Sequence, residues 1–233
     1  MKLQPRWMLV ADVDGTLTGD EAALKHLMEE AERRGIAVVP DSSRPLHSLR
    51  RTWSELGISG FPAQVGALGT EVEIDGRVVE WSERFRGFDR DTFDRLLSEW
   101  GFHTNGDEFQ TRFKASYTVP RHLWEAVSAE VRKRADVEIV CSGTDDFDII
   151  PPEAGKQAPL ALLTAQLEVL PERVVAAGDS MNDFPLLMAA PHRIVVANAD
   201  AELSALTAGN AYRAHRPHAA GIREGLEALG AWI

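Results

Sequence analysis

The stretch Val10-Ala11-Asp12-Val13-Asp14-Gly15-Thr16-Leu17-Thr18-Gly19 decides how the rest of the chain is read. Trp7, Met8, Leu9 and Val10 lead into it as a short apolar run without helical period, which fits a strand buried on both faces. Such a strand delivers Asp12 and Asp14 to its carboxyl end. Two carboxylates two positions apart point the same way on a strand and repel each other unless a cation lies between them. The pair therefore asks for a metal, although Asp and Gly after a strand also suit a plain solvated turn.

Working outward, Asp20 can cap a helix whose apolar residues Leu24, Leu27, Met28 and Ala31 recur at helical spacing, with Gly35 ending it. Ile36 to Val39 form a second apolar strand, and Asp41-Ser42-Ser43-Arg44-Pro45 leads into a helix closed by Gly57. Strand, helix, strand, helix predicts a doubly wound, Rossmann-like parallel sheet. Ligands of such sheets sit beyond the carboxyl ends of the strands, where Asp12 and Ser42 would lie. Ala63 to Val65 read as a third strand, and Thr70 to Ile74 with Arg77 to Trp81 as a hairpin around Asp75-Gly76.

The pattern then changes. A helix with Phe93, Leu96, Leu97 and Trp100 on one face precedes a strand reaching Val119. A helix with Trp124, Val127 and Val131 precedes strands at Val137 to Cys141 and Phe147 to Ile150. This is a smaller open α/β sandwich, read as an inserted cap at residues 83–153 within a core formed by 1–82 and 154–233. The core resumes with the helix of Leu160, Leu163 and Leu167, strands at Val174 to Ala177 and Ile194 to Val196, and a closing helix from Ala219 to Leu229. In the cap, strand alternation sets Lys114 and Ser116 on one face and Phe113, Ala115 and Tyr117 on the other. Asp148 joins the polar set. Core packing is expected for Tyr117, Trp100 and Trp124.

Bulk composition narrows the classes. The 233 residues, 44% of them hydrophobic, suffice for one full domain and an insert. Twenty-five basic against thirty-six acidic residues give a net charge of −11, which argues against nucleic acid and anionic membrane as partners. No apolar run is long enough for a membrane span, and the expected location is the cytoplasm. Cys141 is the only cysteine, read as a buried thiol without chemistry. Lysine occurs only at positions 2, 25, 114, 133 and 156. Where a chain otherwise chooses Arg, a Lys within an apolar or glycine-bearing stretch marks a need for a compact ammonium, which singles out Lys114 and Lys156.

Asp12-Val13-Asp14-Gly15-Thr16-Leu17-Thr18 resembles the first motif of the haloacid-dehalogenase superfamily of phosphatases. In that superfamily a small hydroxyl residue after a second strand, a lone Lys and an acidic Gly-Asp-x-x-x-Asp follow. Here Ser42, Lys156 and Gly178-Asp179-Ser180-Met181-Asn182-Asp183 stand in those places, in that order. The resemblance implies Asp12 as nucleophile and Asp14 as acid/base. It implies Mg²⁺ held by Asp12, the backbone carbonyl of Asp14, and Asp179, with Asp183 binding through water or positioning Asp179. Ser42, Ser43, Lys156 and Asn182 would hold phosphoryl oxygens or orient the groups that do. The second motif usually reads Thr-Gly-Arg and here reads Ser42-Ser43-Arg44. Ser43 lacks the backbone freedom of Gly, and Arg44 would face the substrate or start the helix.

Phe113-Lys114-Ala115-Ser116-Tyr117, Ser142-Gly143, Asp148-Ile149-Ile150-Pro151 and His218-Ala219-Ala220-Gly221 extend the likeness to the bacterial sucrose-phosphate phosphatases. That family's division of labour implies that Arg44, Lys114, Ser116, Ser142 and Asp148 meet the sugar, and that the substrate is sucrose 6-phosphate. Alternatives are a phosphatase for mannosyl-3-phosphoglycerate, trehalose 6-phosphate or a hexose phosphate, a phosphosugar mutase, and a sugar-phosphate sensor without turnover. The expected partner is the small-molecule sugar phosphate, the protein is expected to be a monomer, and functional association with a sugar-phosphate synthase is left open. His215 and His218 are assigned no role beyond the cap or surface near the last helix.

Overall fold

In the computed structural model, which describes residues 5–232, two sheets divide the chain. The elements run β1 (Trp7–Asp12), α1 (Glu21–Arg34), β2 (Ile36–Asp41), α2 (Leu46–Leu56), β3 (Ala63–Gly66), β4 (Glu71–Ile74) and β5 (Arg77–Val78). The second unit follows as α3 (Arg90–Glu99), β6 (His103–Thr104), β7 (Ala115–Thr118), α4 (Trp124–Arg132), β8 (Glu138–Ser142) and β9 (Asp146–Ile150). The chain then returns through α5 (Leu160–Gln166), β10 (Val174–Gly178), α6 (Phe184–Ala189), β11 (His192–Val195), α7 (Ala201–Leu206), β12 (Tyr212–Arg213) and α8 (His218–Ala228).

The larger sheet has the order β12-β11-β10-β1-β2-β3-β4-β5, parallel from β12 to β3 and antiparallel beyond. The chain winds outward from β1 on one side and from β10 on the other. The switch point therefore lies between these two strands, where their carboxyl ends splay and leave a crevice. Period-2 alternation along β1 feeds both layers. Leu9 and Ala11 pack with Leu24, Leu27, Leu49 and Ile222 of α1, α2 and α8. Met8 and Val10 pack with Leu163, Leu186 and Leu203 of α5, α6 and α7. This double burial explains why the strand reads as a continuous apolar run.

α1 has the caps the sequence implies: Asp20 accepts from the Ala23 N–H at its start, and Gly35 takes a left-handed φ of 70° at its end. β2 runs further than its apolar stretch. Proline at a strand position removes one ladder donor, yet Pro40 sits opposite Ala11 and the strand continues until Asp41 pairs with Asp12. The hairpin is shorter than expected, because the chain leaves β5 after Val78 and Trp81 turns back to donate its indole N–H to the Gly69 carbonyl.

The smaller sheet, β6-β7-β9-β8, is wholly antiparallel. Helices cover one face only, where Phe93, Leu97, Val127 and Val131 meet Tyr117, Phe147 and Ile149. Its other face stays polar. Tyr117 and the half-buried Trp124 pack as expected, the indole of Trp124 donating to the Val119 carbonyl. Trp100 does not: it follows the last turn of α3 and is 38% exposed. Cys141 is half-buried rather than enclosed, and burial together with the nearby Asp148 charge pushes its thiol up to about 11. No helix among the described residues is long and apolar enough to cross a membrane.

Because β1 supplies both layers, Leu9→Ala should cost about 2–5 kcal/mol, read as a lower urea midpoint at unchanged slope. A loss below about 1 kcal/mol would contradict the central place given to β1.

Candidate active site

Three turns meet at the crevice. After Asp12 the chain makes an irregular turn over Val13–Leu17 in which Gly15 takes φ +87°. A Cβ on Gly15 would lie 2.4 Å from Asp179 Oδ2, so only glycine lets this turn press against the turn that follows β10. Thr16 Oγ1 closes the contact by donating to Asp179 Oδ1 at 2.7 Å. Asp183, fully buried, accepts the backbone N–H groups of Asp179 at 3.0 Å and Ser180 at 3.1 Å through Oδ2. Asp183 thus shapes the turn that presents Asp179.

Lys156 enters from the segment before α5 and is 1% exposed. Its Nζ donates to Asp12 Oδ1 at 2.6 Å, to Asp183 Oδ1 at 2.5 Å and to Asn182 Oδ1 at 3.3 Å, which uses all three of its protons. Burial alone would lower the pKa of this ammonium, but attraction to Asp12, Asp183 and Asp41 outweighs it and carries the pKa upward. Asp12 is held well above the ordinary carboxylate range by burial and then by repulsion from Asp183, against the pull of Lys156. Asp179 is raised too, by burial and by Asp183. Carboxylate oxygens of Asp12, Asp179 and Asp183 lie within 4.8 Å of one another. One ammonium does not neutralise them, and hard oxygens at this spacing are what a divalent cation takes, so the donor set fits a metal ion.

The second-motif loop lies beside them. Ser42 is buried, and its Oγ accepts the Arg44 N–H at 3.0 Å, the local turn that a lone serine also explains. Ser43 takes no left-handed φ, so serine stands where the superfamily has glycine without backbone strain. Arg44 Nη2 donates to Asp14 Oδ1 at 2.7 Å, which pairs it with the half-exposed Asp14. Asp41, to which the sequence analysis gives no role, is fully buried opposite Asp12, and neither of its carboxyl oxygens has a hydrogen-bond partner among the described residues. Burial drives its pKa well up. Its phase with Ala37 and Val39 was the available signal.

Lys114, Ser116, Ser142 and Asp148 line one cavity of about 460 Å³ on the polar face of the smaller sheet, with Asn105, Asp146 and Ser43 of the core loop. Lys114 is buried; its Nζ donates to the Ser43 carbonyl at 3.0 Å and pairs with Asp148 at 3.1 Å. Asn105 Nδ2 donates to Ser116 Oγ at 2.9 Å. Asp146 and Thr118 were legible as cavity residues, since the alternation that groups Lys114 with Ser116 continues to Thr118, and that of Asp148 reaches back to Asp146. Arg44 does not line this cavity. His215 is exposed and pairs with Glu224.

The profile of the family described as sucrose-6F-phosphate phosphohydrolase matches residues 5–230. The chain belongs to that family. A sucrose-phosphatase from Synechocystis, solved in complex with sucrose and phosphate, shares its fold with a TM-score of 0.86 over 97% of this chain and 98% of that one, at 23% identity. A 5-amino-6-(5-phospho-D-ribitylamino)uracil phosphatase of Bacillus subtilis is 26% identical over 82% of this chain and 84% of its own. A probable sucrose-phosphatase of Arabidopsis thaliana is 28% identical over 89% of this chain but 54% of its own, so the chain spans about half the length of that plant relative. The sucrose-6F-phosphate phosphohydrolase family is one of haloacid-dehalogenase phosphatases, and this member is a phosphoric monoester hydrolase.

The crowded carboxylates set a pH dependence. Because the folded-state pKa values of Asp12 and Asp179 are raised, their contribution to stability is present below the ordinary carboxylate pKa and is lost as pH rises through the raised values. A divalent cation should therefore raise the melting temperature more at about pH 7.5 than at about pH 5. Asp179→Asn should shrink the gain. Equal gains at both pH values, or an undiminished gain in the variant, would count against the cation site.

Proposed function

We propose that this member hydrolyses the phosphate monoester of a disaccharide, with sucrose 6-phosphate as its first-choice substrate, through an aspartyl-phosphate intermediate and with Mg²⁺ as the cation. The observation that carries this reading is the bond from Lys114 to the Ser43 carbonyl. It brings a cavity rich in hydroxyl, amide and carboxylate groups against the loop of candidate phosphate ligands, so one molecule bearing both a phosphate and sugar hydroxyls would be held by both units.

Phosphate monoesters resist attack because their oxygens repel nucleophiles, so the site must offset charge and fix the line of approach. Mg²⁺ bound by Asp12, the Asp14 carbonyl and Asp179 would neutralise phosphoryl charge. Lys156 holds Oδ1 of Asp12, which leaves Oδ2 to attack phosphorus. As the new P–O bond forms, the bond to the sugar oxygen breaks, and that oxygen leaves with the electron pair and takes a proton from Asp14. Asp14, ionised by that transfer, then accepts a proton from water as the water attacks phosphorus. The P–O bond to Asp12 breaks, returning the carboxylate and free phosphate. Ser42, Ser43 and Asn182 hold the phosphoryl oxygens, joined by Lys156 as its Nζ exchanges the 3.3 Å bond to Asn182 Oδ1 for one of them, while Asp183 supports Asp179 and Arg44 orients Asp14. Residues 83–153 act as the cap, with Lys114, Ser116, Ser142 and Asp148 meeting the sugar.

Asp12→Asn should abolish phosphate release while leaving thermal unfolding close to wild type, and activity within about tenfold of wild type would remove Asp12 as nucleophile. A phosphate-release screen over sucrose 6-phosphate, mannosyl-3-phosphoglycerate, trehalose 6-phosphate and hexose phosphates tests the substrate. Preference for a hexose phosphate would overturn the disaccharide reading.

The cap's part is tested best at Asp146, because replacing Lys114 would also release the Ser43 carbonyl. Asp146→Ala removes a carboxylate far from phosphorus and should lower kcat/KM for the preferred disaccharide phosphate about tenfold or more, while p-nitrophenyl phosphate turns over as before. Equal losses on both substrates would place Asp146 in folding rather than sugar recognition.

A further inference from the structure

We propose that His218 and Asn198 are positioning residues that hold the loop of Asp12 and Asp14 in its reactive shape by clamping the Gly15 carbonyl. This rests on the phosphoryl-transfer reading of that loop. Gly15 O accepts two hydrogen bonds, from Asn198 Nδ2 at 2.8 Å and at the Nδ1 position of His218 at 2.7 Å. Asn198 Oδ1 in turn accepts the His218 backbone N–H at 3.0 Å, which closes a ring of three contacts. Since Gly15 O is an acceptor only, the imidazole must carry its proton on Nδ1.

Two features mark the ring as built for this contact. His218 takes φ +52° at the start of α8, a left-handed conformation that is uncommon outside glycine. Gly19, with φ +113°, leaves the space the imidazole fills: a Cβ there would stand 2.5 Å from the ring. The histidine side chain thus lies across the far side of the turn. On the near side Gly15 meets Asp179, and Thr16 donates to the same carboxylate. The turn is pinned between the turn that carries Asp179 and the last helix. Releasing the Gly15 carbonyl would let its peptide rotate and carry Asp14, one residue upstream, out of alignment with Asp12. Small misplacements of reacting groups cost rate rather than binding.

The test uses p-nitrophenyl phosphate, which makes few demands on the cap, with the 233-residue chain. His218→Ala should lower kcat about 10- to 100-fold with KM nearly unchanged. His218→Asn, whose amide can place a donor where Nδ1 stands and which tolerates positive φ, should recover most of that loss. His218→Gln, whose donor corresponds to Nε2, should not. Asn198 is exposed, so Asn198→Ala keeps the test available should the His218 variants fold poorly. It should lower kcat several-fold at an unchanged melting temperature. Wild-type kcat in His218→Ala or Asn198→Ala would overturn the proposal. So would a loss in His218→Asn equal to that in His218→Ala. Asp12→Asn separates the two readings: if it is inactive while the clamp variants are normal, only the clamp falls.

Discussion

Everything at this site depends on how a buried ammonium and the carboxylates around it share charge. Lys156 is enclosed and bonds Asp12 and Asp183, with Asp41 and Asp179 close enough to shift its balance or theirs. Taking ions out of water costs several kcal/mol each unless partners offset it, and here the negative groups outnumber the positive one. The fold answers partly with backbone donors, which satisfy the second oxygen of Asp183, and partly by raising the pKa of Asp12, Asp41 and Asp179. What remains is an electrostatic deficit suited to a cation and a phosphate arriving together. Stability has been set against readiness to bind.

The same bond constrains the chain path. Asp12 ends the first strand and Lys156 follows the second unit, so the polypeptide must leave the larger sheet, build the smaller one and return to within hydrogen-bond reach of its start. The Gly155 N–H donates to the Leu68 carbonyl at 2.8 Å, tying the returning strand of chain to a residue just after β3. That bond fixes the residue next to Lys156 against the end of β3. The two sheets then obey one period-2 rule with different outcomes. Both faces of β1 are covered and its alternation is invisible in the sequence, whereas β7 and β9 are covered on one face and alternate plainly between packed and polar residues.

Legibility in the sequence followed range. The core strands, the caps of α1, the acidic pair at Asp12 and the polar face of β7 were readable because each depends on local spacing. The eight-strand order was expected only as a fold class, and two-residue strands such as β6 and β12 carry too short a pattern to detect. Trp100 was in phase with Phe93 and Leu97, but the helix ends before it, and the side chain turns outward. Asp41 was hidden by Pro40, which reads as a strand stop although β2 passes through it. Asn198 and His218 were beyond reach for a plainer reason: they meet Gly15 across nearly the whole length of the chain, and no spacing encodes that.

The two units meet at Lys114 and at an apolar cluster of Leu68, Phe85, Phe113, Ile150 and Ala154, and this bears on how substrate choice and chemistry are separated. On the proposed reading, the phosphate half of the substrate meets groups fixed by the switch point of the larger sheet, while the sugar half meets the face of the smaller sheet that its helices leave uncovered. Substitution at Asn105, Thr118 or Asp146 alters hydrogen-bonding capacity in the cavity without entering the Lys156 network. Lys114 is the exception. Its buried ammonium pairs with Asp148 in the cap and with the Ser43 carbonyl in the core, so a sugar that displaces or reorients it acts directly on the loop beside Ser42. A single charged hydrogen bond of this kind is worth roughly 1.5–3 kcal/mol, enough on that reading for occupancy of the cavity to bias the loop beside Ser42. On the proposed reading recognition and reaction share one lysine, and the remainder of the cavity is left free to diverge.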